Sequence, residues 1–184
     1  GTPTLRLFKP KKKQSKKGSH ADKTVVDYRQ ERKVKDMQQF VEEQMPNHVE
    51  RIVFEDDFRK MQAKASKYGL AQAIFFTSKA QTTALLKYLS TEFRRRLLVV
   101  HIPPTTKNQQ WIEEFGVTVP SLVVVTSTGE KITYTGDDFT RRKLERFLKE
   151  YATVEPVYHP VQVESSEQES EEAVKDREKI HVEL

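Results

Sequence analysis

The feature that most constrains the fold is a set of short apolar runs that alternate with amphipathic patterns. Three runs rich in β-branched and aromatic residues lie at 71–77, 97–102 and 121–126. Each has the length of one strand and is too short for a buried helix, and none shows the polar alternation of a strand with one wet face. We therefore predict three strands that are buried on both faces of a sheet.

Helical patterns separate these runs. Apolar residues recur there at three- and four-residue spacing, which predicts one apolar face per helix, over 56–68, 82–93, 107–115 and 140–151. Residues 49–54 and 130–135 are two further strand candidates. The predicted order is β-α-β-α-β-α-β-β-α, which indicates an α/β fold with a central mixed sheet flanked by helices.

An internal repeat predicts how the chain is divided. The order strand, hairpin strand, helix occurs twice, at 3–8, 24–28 and 34–41 and again at 120–125, 131–134 and 144–148. Repeats of this length usually mean tandem domains. We expect residues 1–46 to be the C-terminal part of one unit, 47–153 a complete second unit, and 154–184 a disordered acidic tail.

Charge is distributed unevenly along the chain. The net charge is +5, but residues 1–23 carry eight Lys/Arg against one Asp (+7), whereas 155–184 carry three against nine Asp/Glu (−6). The lysine run Lys9 to Lys17 falls in the enlarged hairpin loop of the first repeat. A nucleic-acid patch is one interpretation, but no aromatic residues are interleaved for base stacking, so a solvated insertion is favoured over a nucleic-acid partner.

Cysteine is absent from all 184 residues. This excludes structural disulfides, a cysteine nucleophile and thiolate metal sites in the sequence printed here. The five histidines show no ligand spacing such as HxxxH. We predict no metal site, no cofactor and no catalytic residue, and no apolar stretch is long enough to insert into a membrane.

A resemblance to a known family rests on two copies of one pattern. Gly116-Val-x-Val-Pro120-Ser-Leu-Val, followed by Tyr134-x-Gly136 and a terminal amphipathic helix, resembles the second half of a thioredoxin domain. The first copy, with Asp27-Tyr28-x-x-Glu31-Arg32 and Met45-Pro-Asn-His-Val49, resembles the domain junction of fungal Mpd-type protein disulfide isomerases. The resemblance implies an endoplasmic reticulum oxidoreductase in which an active CxxC domain precedes a redox-inactive, thioredoxin-like one.

The same resemblance implies the site residues. Ala80 and Thr83 stand at the two positions where active members carry cysteines, so the complete unit is expected to be non-catalytic. Val119-Pro120 corresponds to the family's cis-proline turn, which would present backbone groups to an extended peptide. With Phe76, Ala80 and Thr83 it forms the expected binding site for unfolded client proteins, and Thr2 and Pro3 are the counterpart in the first unit. Two alternatives are a unit kept for packing or spacing and a scaffold that recruits partner chaperones.

The last four residues resemble a sorting signal. His181, Val182, Glu183 and Leu184 are similar to the HDEL and KDEL signals that a retrieval receptor reads at the C-terminus, with Val182 in place of the usual Asp. The resemblance implies a protein of the endoplasmic reticulum lumen.

Overall fold

The computed structural model describes residues 4–10 and 23–161. Two strands and a helix come first, followed by an alternation of strands and helices that confirms the predicted order. The elements are β1 (Arg6–Pro10), β2 (Lys23–Asp27), α1 (Val34–Gln44), β3 (Glu50–Arg51), α2 (Glu55–Tyr68), β4 (Gln72–Phe76), α3 (Ala84–Glu92), β5 (Leu98–Ile102), α4 (Gln109–Phe115), β6 (Ser121–Val125), β7 (Lys131–Thr133) and α5 (Arg141–Lys149). A short 3₁₀ helix, Thr106–Asn108, leads into α4.

Strand β3 is shorter than predicted. It spans two residues in place of the expected 49–54. The carboxylate of Asp57 accepts the backbone N–H groups of Val53 at 3.1 Å and Phe54 at 3.0 Å. The Asp57 carboxylate therefore caps the start of α2, and the two amides that it binds are not available for strand pairing.

The main sheet is mixed, in the strand order β3-β5-β4-β6-β7. Strands β3, β5 and β4 are parallel, and β6 is antiparallel to both β4 and β7. The carboxyl ends of the three parallel strands and the amino end of β6 therefore lie together. We call this the carboxyl end of the sheet, and the opposite side its amino end.

Helices cover both faces of this sheet. Because side chains alternate along a strand, Ile74 and Val100 pack against α2 and α4, whereas Ala73 and Val99 pack against α3 and α5. The first face is closed by stacking of Phe58 on Trp111, with ring centroids 4.0 Å apart. This three-layer arrangement is the thioredoxin-like α/β fold.

The repeat seen in the sequence recurs in space. The rings of Tyr28 and Phe40 lie 5.1 Å apart, and those of Tyr134 and Phe147 lie 5.0 Å apart. Their surroundings differ, because Leu144 and Leu148 of α5 are fully buried while α1 contains no fully buried residue. The division of the chain at residue 46 stays a prediction.

The expectation of a disordered tail from residue 154 is wrong for residues 154–161, which two backbone hydrogen bonds connect to the domain. The backbone N–H of Val157 donates to Arg95 O at 2.8 Å, and that of Val161 donates to Lys67 O at 2.9 Å. Val157 also contacts the core. Composition misled the prediction because Pro156 and Pro160 suggest a loop, and a loop can still be held by the backbone groups that lie between its prolines. Residues 162–184, including the proposed sorting signal 181–184, lie outside the described part of the chain.

Among the helices within the described ranges, none is both long enough and apolar enough to cross a bilayer.

Candidate functional site

The predicted site residues meet at the carboxyl end of the sheet. Phe76 at the end of β4 pairs with Ser121 at the start of β6, so the loop 77–83 that follows β4 leaves the sheet beside Val119 and Pro120. The loop that carries Ala80 and Thr83 and the Val119-Pro120 turn therefore lie at the same end of the sheet. The joint role of these residues in binding a client stays a prediction.

The loop 77–83 ends in the N-terminal cap of α3. The hydroxyl of Thr83 accepts the backbone N–H of Leu86 at 3.4 Å, and Ala80 is exposed on the loop. The Ala80 carbonyl accepts a hydrogen bond from the Arg51 guanidinium at 3.2 Å. A helix start of this kind would favour a thiolate, but neither residue supplies sulfur.

A buried histidine in the neighbouring strand β5 forms hydrogen bonds with this loop. His101 in β5 is fully buried, and its Nε2 lies 2.9 Å from the Thr77 hydroxyl and 3.2 Å from the Lys79 carbonyl. Its Nδ1 lies 3.2 Å from the Thr82 hydroxyl. One tautomer satisfies all three contacts, with Nε2–H donating to Thr77 and Lys79 and Nδ1 accepting from Thr82.

The charge state of His101 follows from its surroundings. Burial lowers the pKa of the imidazole most, and the nearby charge of Arg51 lowers it further, while the Lys79 carbonyl acts in the opposite direction. The ring is therefore neutral at neutral pH, which agrees with the tautomer that the hydrogen bonds require. His101 thus anchors the loop without carrying charge.

Exposed backbone and side chain lie next to this loop. The Val119-Pro120 peptide bond is cis, as the family resemblance implies. Val119 is 37% exposed, and within residues 4–10 and 23–161 no hydrogen bond engages its backbone N–H or carbonyl. An extended peptide could pair with these groups in the manner of an added strand.

One predicted site residue has a different role. Phe76 is 1% exposed and its ring centroid lies 5.5 Å from that of Phe115, so the expectation that it contacts a client directly is wrong. Its strand position faces the α2 and α4 layer, where the ring belongs to the core. Phe76 therefore supports the loop but offers no surface, while Thr2 and Pro3 lie outside the described residues.

Sequence reasoning missed three residues of this end of the sheet. Arg51 and His101 are neighbours only through the parallel register of β3 and β5, which the sequence does not reveal. Phe54 was assigned to a strand, but it is 54% exposed in the turn before α2, with the Lys107 ammonium 4.6 Å from its ring centroid. An aromatic residue directly before the acidic start of α2 is the signal that could have placed it outside the strand.

In the described part of the chain, no group of three His, Asp or Glu side chains is placed to hold a metal ion. Together the geometry provides an exposed apolar side chain at Val119 and a loop anchored by His101.

Comparisons with known proteins give the following relatives. No family model matches the chain. It is 30% identical over 155 residues to a protein of Dictyostelium discoideum named "Putative protein disulfide-isomerase", a match that covers 83% of this chain and 35% of that protein. The chain therefore spans about a third of the length of this relative.

Solved structures with similar folds include thioredoxins and a larger protein. Thioredoxin NaTrxh from Nicotiana alata has a TM-score of 0.48 and 12% identity, covering 58% of this chain and 95% of that one. Thioredoxin O1 from Arabidopsis thaliana, in the oxidized state, has a TM-score of 0.41 and 19% identity, covering 57% and 98%. ERdj5 form II has a TM-score of 0.49 and 14% identity, covering 70% and 18%.

Proposed function

Since the chain is thioredoxin-like and related to the protein disulfide isomerases, we propose that its complete domain, residues 47–153, is a non-catalytic module that holds unfolded client chains for a protein of oxidative folding. The observation that carries the proposal is the edge at Val119. There an exposed apolar side chain and unengaged backbone groups lie beside a loop with Ala80 and Thr83 in place of cysteines.

The proposal assigns different roles to the residues of the carboxyl end. Val119 contributes apolar contact and backbone pairing to an extended client. Phe54 adds a second exposed apolar surface at the same end of the sheet. His101 and Arg51 are positioning residues, because they hold the loop 77–83 and do not contact the client.

The chain itself has no route to thiol exchange. That reaction needs a thiolate to attack a disulfide and a second thiol to release the mixed disulfide, and the sequence contains no cysteine. The chain as printed should therefore be inert in insulin reduction. In the proposed protein, a preceding unit with CxxC supplies the chemistry, and residues 1–46 are the end of that unit.

A matched pair of valine substitutions tests client binding. Val119→Ser removes the proposed apolar contact with the client. Val154→Ser is the control, because Val154 is 92% exposed and lies at the amino end of the sheet, next to Thr153, whose amide bonds to Arg96 O. Losing about 1 kcal/mol of apolar contact at Val119 should weaken binding of a cysteine-free, unfolded client peptide about fivefold. The readout is fluorescence anisotropy of the labelled peptide.

The outcome separates the proposal from a spacer or scaffold. Weaker binding by Val119→Ser with unchanged binding by Val154→Ser supports the client-holding role. No peptide binding by the unchanged chain would leave a unit for spacing or for recruiting folded chaperones.

The proposed location is the lumen of the endoplasmic reticulum, which rests on residues 181–184 and on the family likeness. Deleting His181 to Leu184 from the parent protein should send it to the medium. Unchanged retention would remove the proposed retrieval receptor as a partner.

A further inference from the structure

A cavity lies at the amino end of the sheet, away from the proposed client face. It has a volume of about 270 Å³ and lies beside Leu70, two residues before β4, and Leu98, the first residue of β5. Three cationic side chains, Lys64, Arg94 and Arg95, line it together with His48. Its position means that a ligand bound there would leave Val119 uncovered.

The cations are presented by two elements of the fold. Lys64 lies on α2 and forms an ion pair with Glu50. Arg94 and Arg95 lie in the turn between α3 and β5, where Arg95 has a left-handed backbone with φ 62°. The next residue, Arg96, is held differently, because its Nε donates to Thr153 O at 2.7 Å.

Most of the positive charge of this cavity is not neutralised. The Arg95 guanidinium lies 4.4 Å from the ring centroid of Tyr158. Among the described residues, no ion pair or side-chain hydrogen bond engages the guanidinium of Arg94. The carboxylate that pairs with Lys64 belongs to Glu50, outside the lining, and among the described residues the lining itself has three cations and no carboxylate.

His48 adds a group that can respond to an anion. Burial lowers its pKa first, and the charges of Arg94 and Lys64 lower it further. The imidazole is therefore neutral beside the cations, and a bound anion would allow it to take up a proton. The backbone N–H of His48 donates to the Ser90 hydroxyl at 3.2 Å, which fixes the residue at the cavity wall.

The chain itself carries an acidic segment, residues 164–172, that is connected to this cavity by a short stretch of backbone. Val157 lines the cavity, and the Val161 amide bonds to Lys67 O, one helical turn after Lys64. The segment 164–172 begins three residues later, a reach of about 10 Å in an extended chain. It contains five glutamates in nine residues and no basic residue.

We propose that the cavity formed by His48, Lys64, Arg94 and Arg95 is an anion site for glutamate carboxylates, and that residues 164–172 of this chain occupy it. Carboxylates and guanidinium groups form the stronger, charge-assisted type of hydrogen bond. A short tether keeps the segment at high effective concentration, so weak individual contacts suffice for occupancy. The tail then serves as a ligand of its own domain, in addition to carrying the proposed sorting signal.

The test uses the full chain and its lack of cysteine. A single Ser170→Cys substitution takes one nitroxide spin label, and the amide signals of the domain report which residues the label approaches. We expect selective paramagnetic broadening at 64–70 and 90–95, which disappears when the ionic strength is raised from about 0.05 M to about 0.5 M.

Two variants and a control locate the contact. Arg94→Gln with Lys64→Gln should abolish the broadening, and so should changing the five glutamates of 164–172 to Gln. Arg142→Gln, an exposed cation on α5, should leave it unchanged. Broadening that is spread evenly over the surface, or that survives Arg94→Gln with Lys64→Gln, would overturn the proposal.

A free peptide distinguishes the two sources of the same chemistry. An acidic peptide with the sequence of 162–174 should shift the amide signals of Arg94 and Arg95 in the variant whose five tail glutamates are changed to Gln. It should shift them little in the unchanged chain, because there the chain's own segment 164–172 occupies the site. Equal shifts in both chains, without broadening from the attached label, would show that the site takes an acidic partner from outside and would overturn the assignment to this chain's own segment.

Discussion

Replacing His101 by leucine is the perturbation whose size the structure defines best. Leucine fills a similar volume in the fully buried position but removes the contacts of the ring to Thr77, Lys79 and Thr82. Each hydrogen bond contributes a net of about 0.5–1.5 kcal/mol. Because Lys79 is exposed and water can reach its carbonyl, we expect His101→Leu to lower the free energy of unfolding by about 2 kcal/mol.

Urea unfolding measures this loss. With an m-value of about 2 kcal/mol per M, the midpoint should fall by about 1 M. Thr82→Val removes only the contact to Nδ1 and should cost about 1 kcal/mol. The double variant should cost less than the sum of the two, because both changes remove the same hydrogen bond.

Thr105, a threonine with an unpartnered hydroxyl in the described part of the chain, gives the matched control. The buried hydroxyl of Thr105 has no partner in the described part of the chain, so Thr105→Val should be neutral or stabilising. Hydrogen exchange locates the effect, since His101→Leu should speed exchange in 77–83 more than in β4. An unchanged urea midpoint, or unchanged exchange in the loop, would refute the anchoring role of His101.

Three further predictions concern pH and the end of the domain. Because the pKa of His101 is below its ordinary value of 6.5 in the folded state, its contribution to stability is full above that pH and is lost as the pH falls towards the folded pKa. Since the pKa of His48 is lowered as well, the comparison is made in the His48→Gln background: below pH 6.5 the unfolding free energy of His48→Gln should fall more steeply with decreasing pH than that of His48→Gln with His101→Leu, by up to about 1.4 kcal/mol per pH unit, and equal slopes would contradict the buried, neutral state of His101. Gly69→Ala should lower the free energy of unfolding in urea by about 2 kcal/mol, because Gly69 has φ 60° and an added Cβ would lie 2.9 Å from Val161 Cγ2. The control Gly116→Ala has the same φ but open space around the added Cβ, and it should cost only about 1 kcal/mol. Equal costs would mean that Val161 does not pack against Gly69. Ending the chain after Thr153 should lower the melting temperature relative to a chain ending after Val161, because Val157 and Tyr158 lose their contacts; coincident melting curves would show that residues 154–161 contribute nothing.

The sequence predicts those parts of the structure that depend on local period. The order of elements follows from apolar spacing, and the position of the loop 77–83 at the same end of the sheet as Val119 follows from the direction of the strands. Contacts between strands that are distant in sequence could not be predicted, so the pairing of Arg51 with His101 was missed. The sequence places Phe76 correctly at the end of its strand, but it does not show that Phe115 packs on the ring. For this reason Phe76 was expected to contact a client. The start of the tail was placed too early because composition does not record the backbone bonds of Val157 and Val161.

Site-specific photo-cross-linking tests the central claim, that the carboxyl end of the sheet holds clients without redox chemistry. A photoreactive phenylalanine analogue replaces Ala80 in one chain and Thr128 in another, both exposed, with Thr128 in the turn after β6 at the amino end. The client is an unfolded protein whose cysteines have been blocked. We predict cross-links from position 80 but not from position 128, competed by a short apolar peptide and reduced by Val119→Ser. Equal cross-linking from both positions, or none from position 80, would contradict the account.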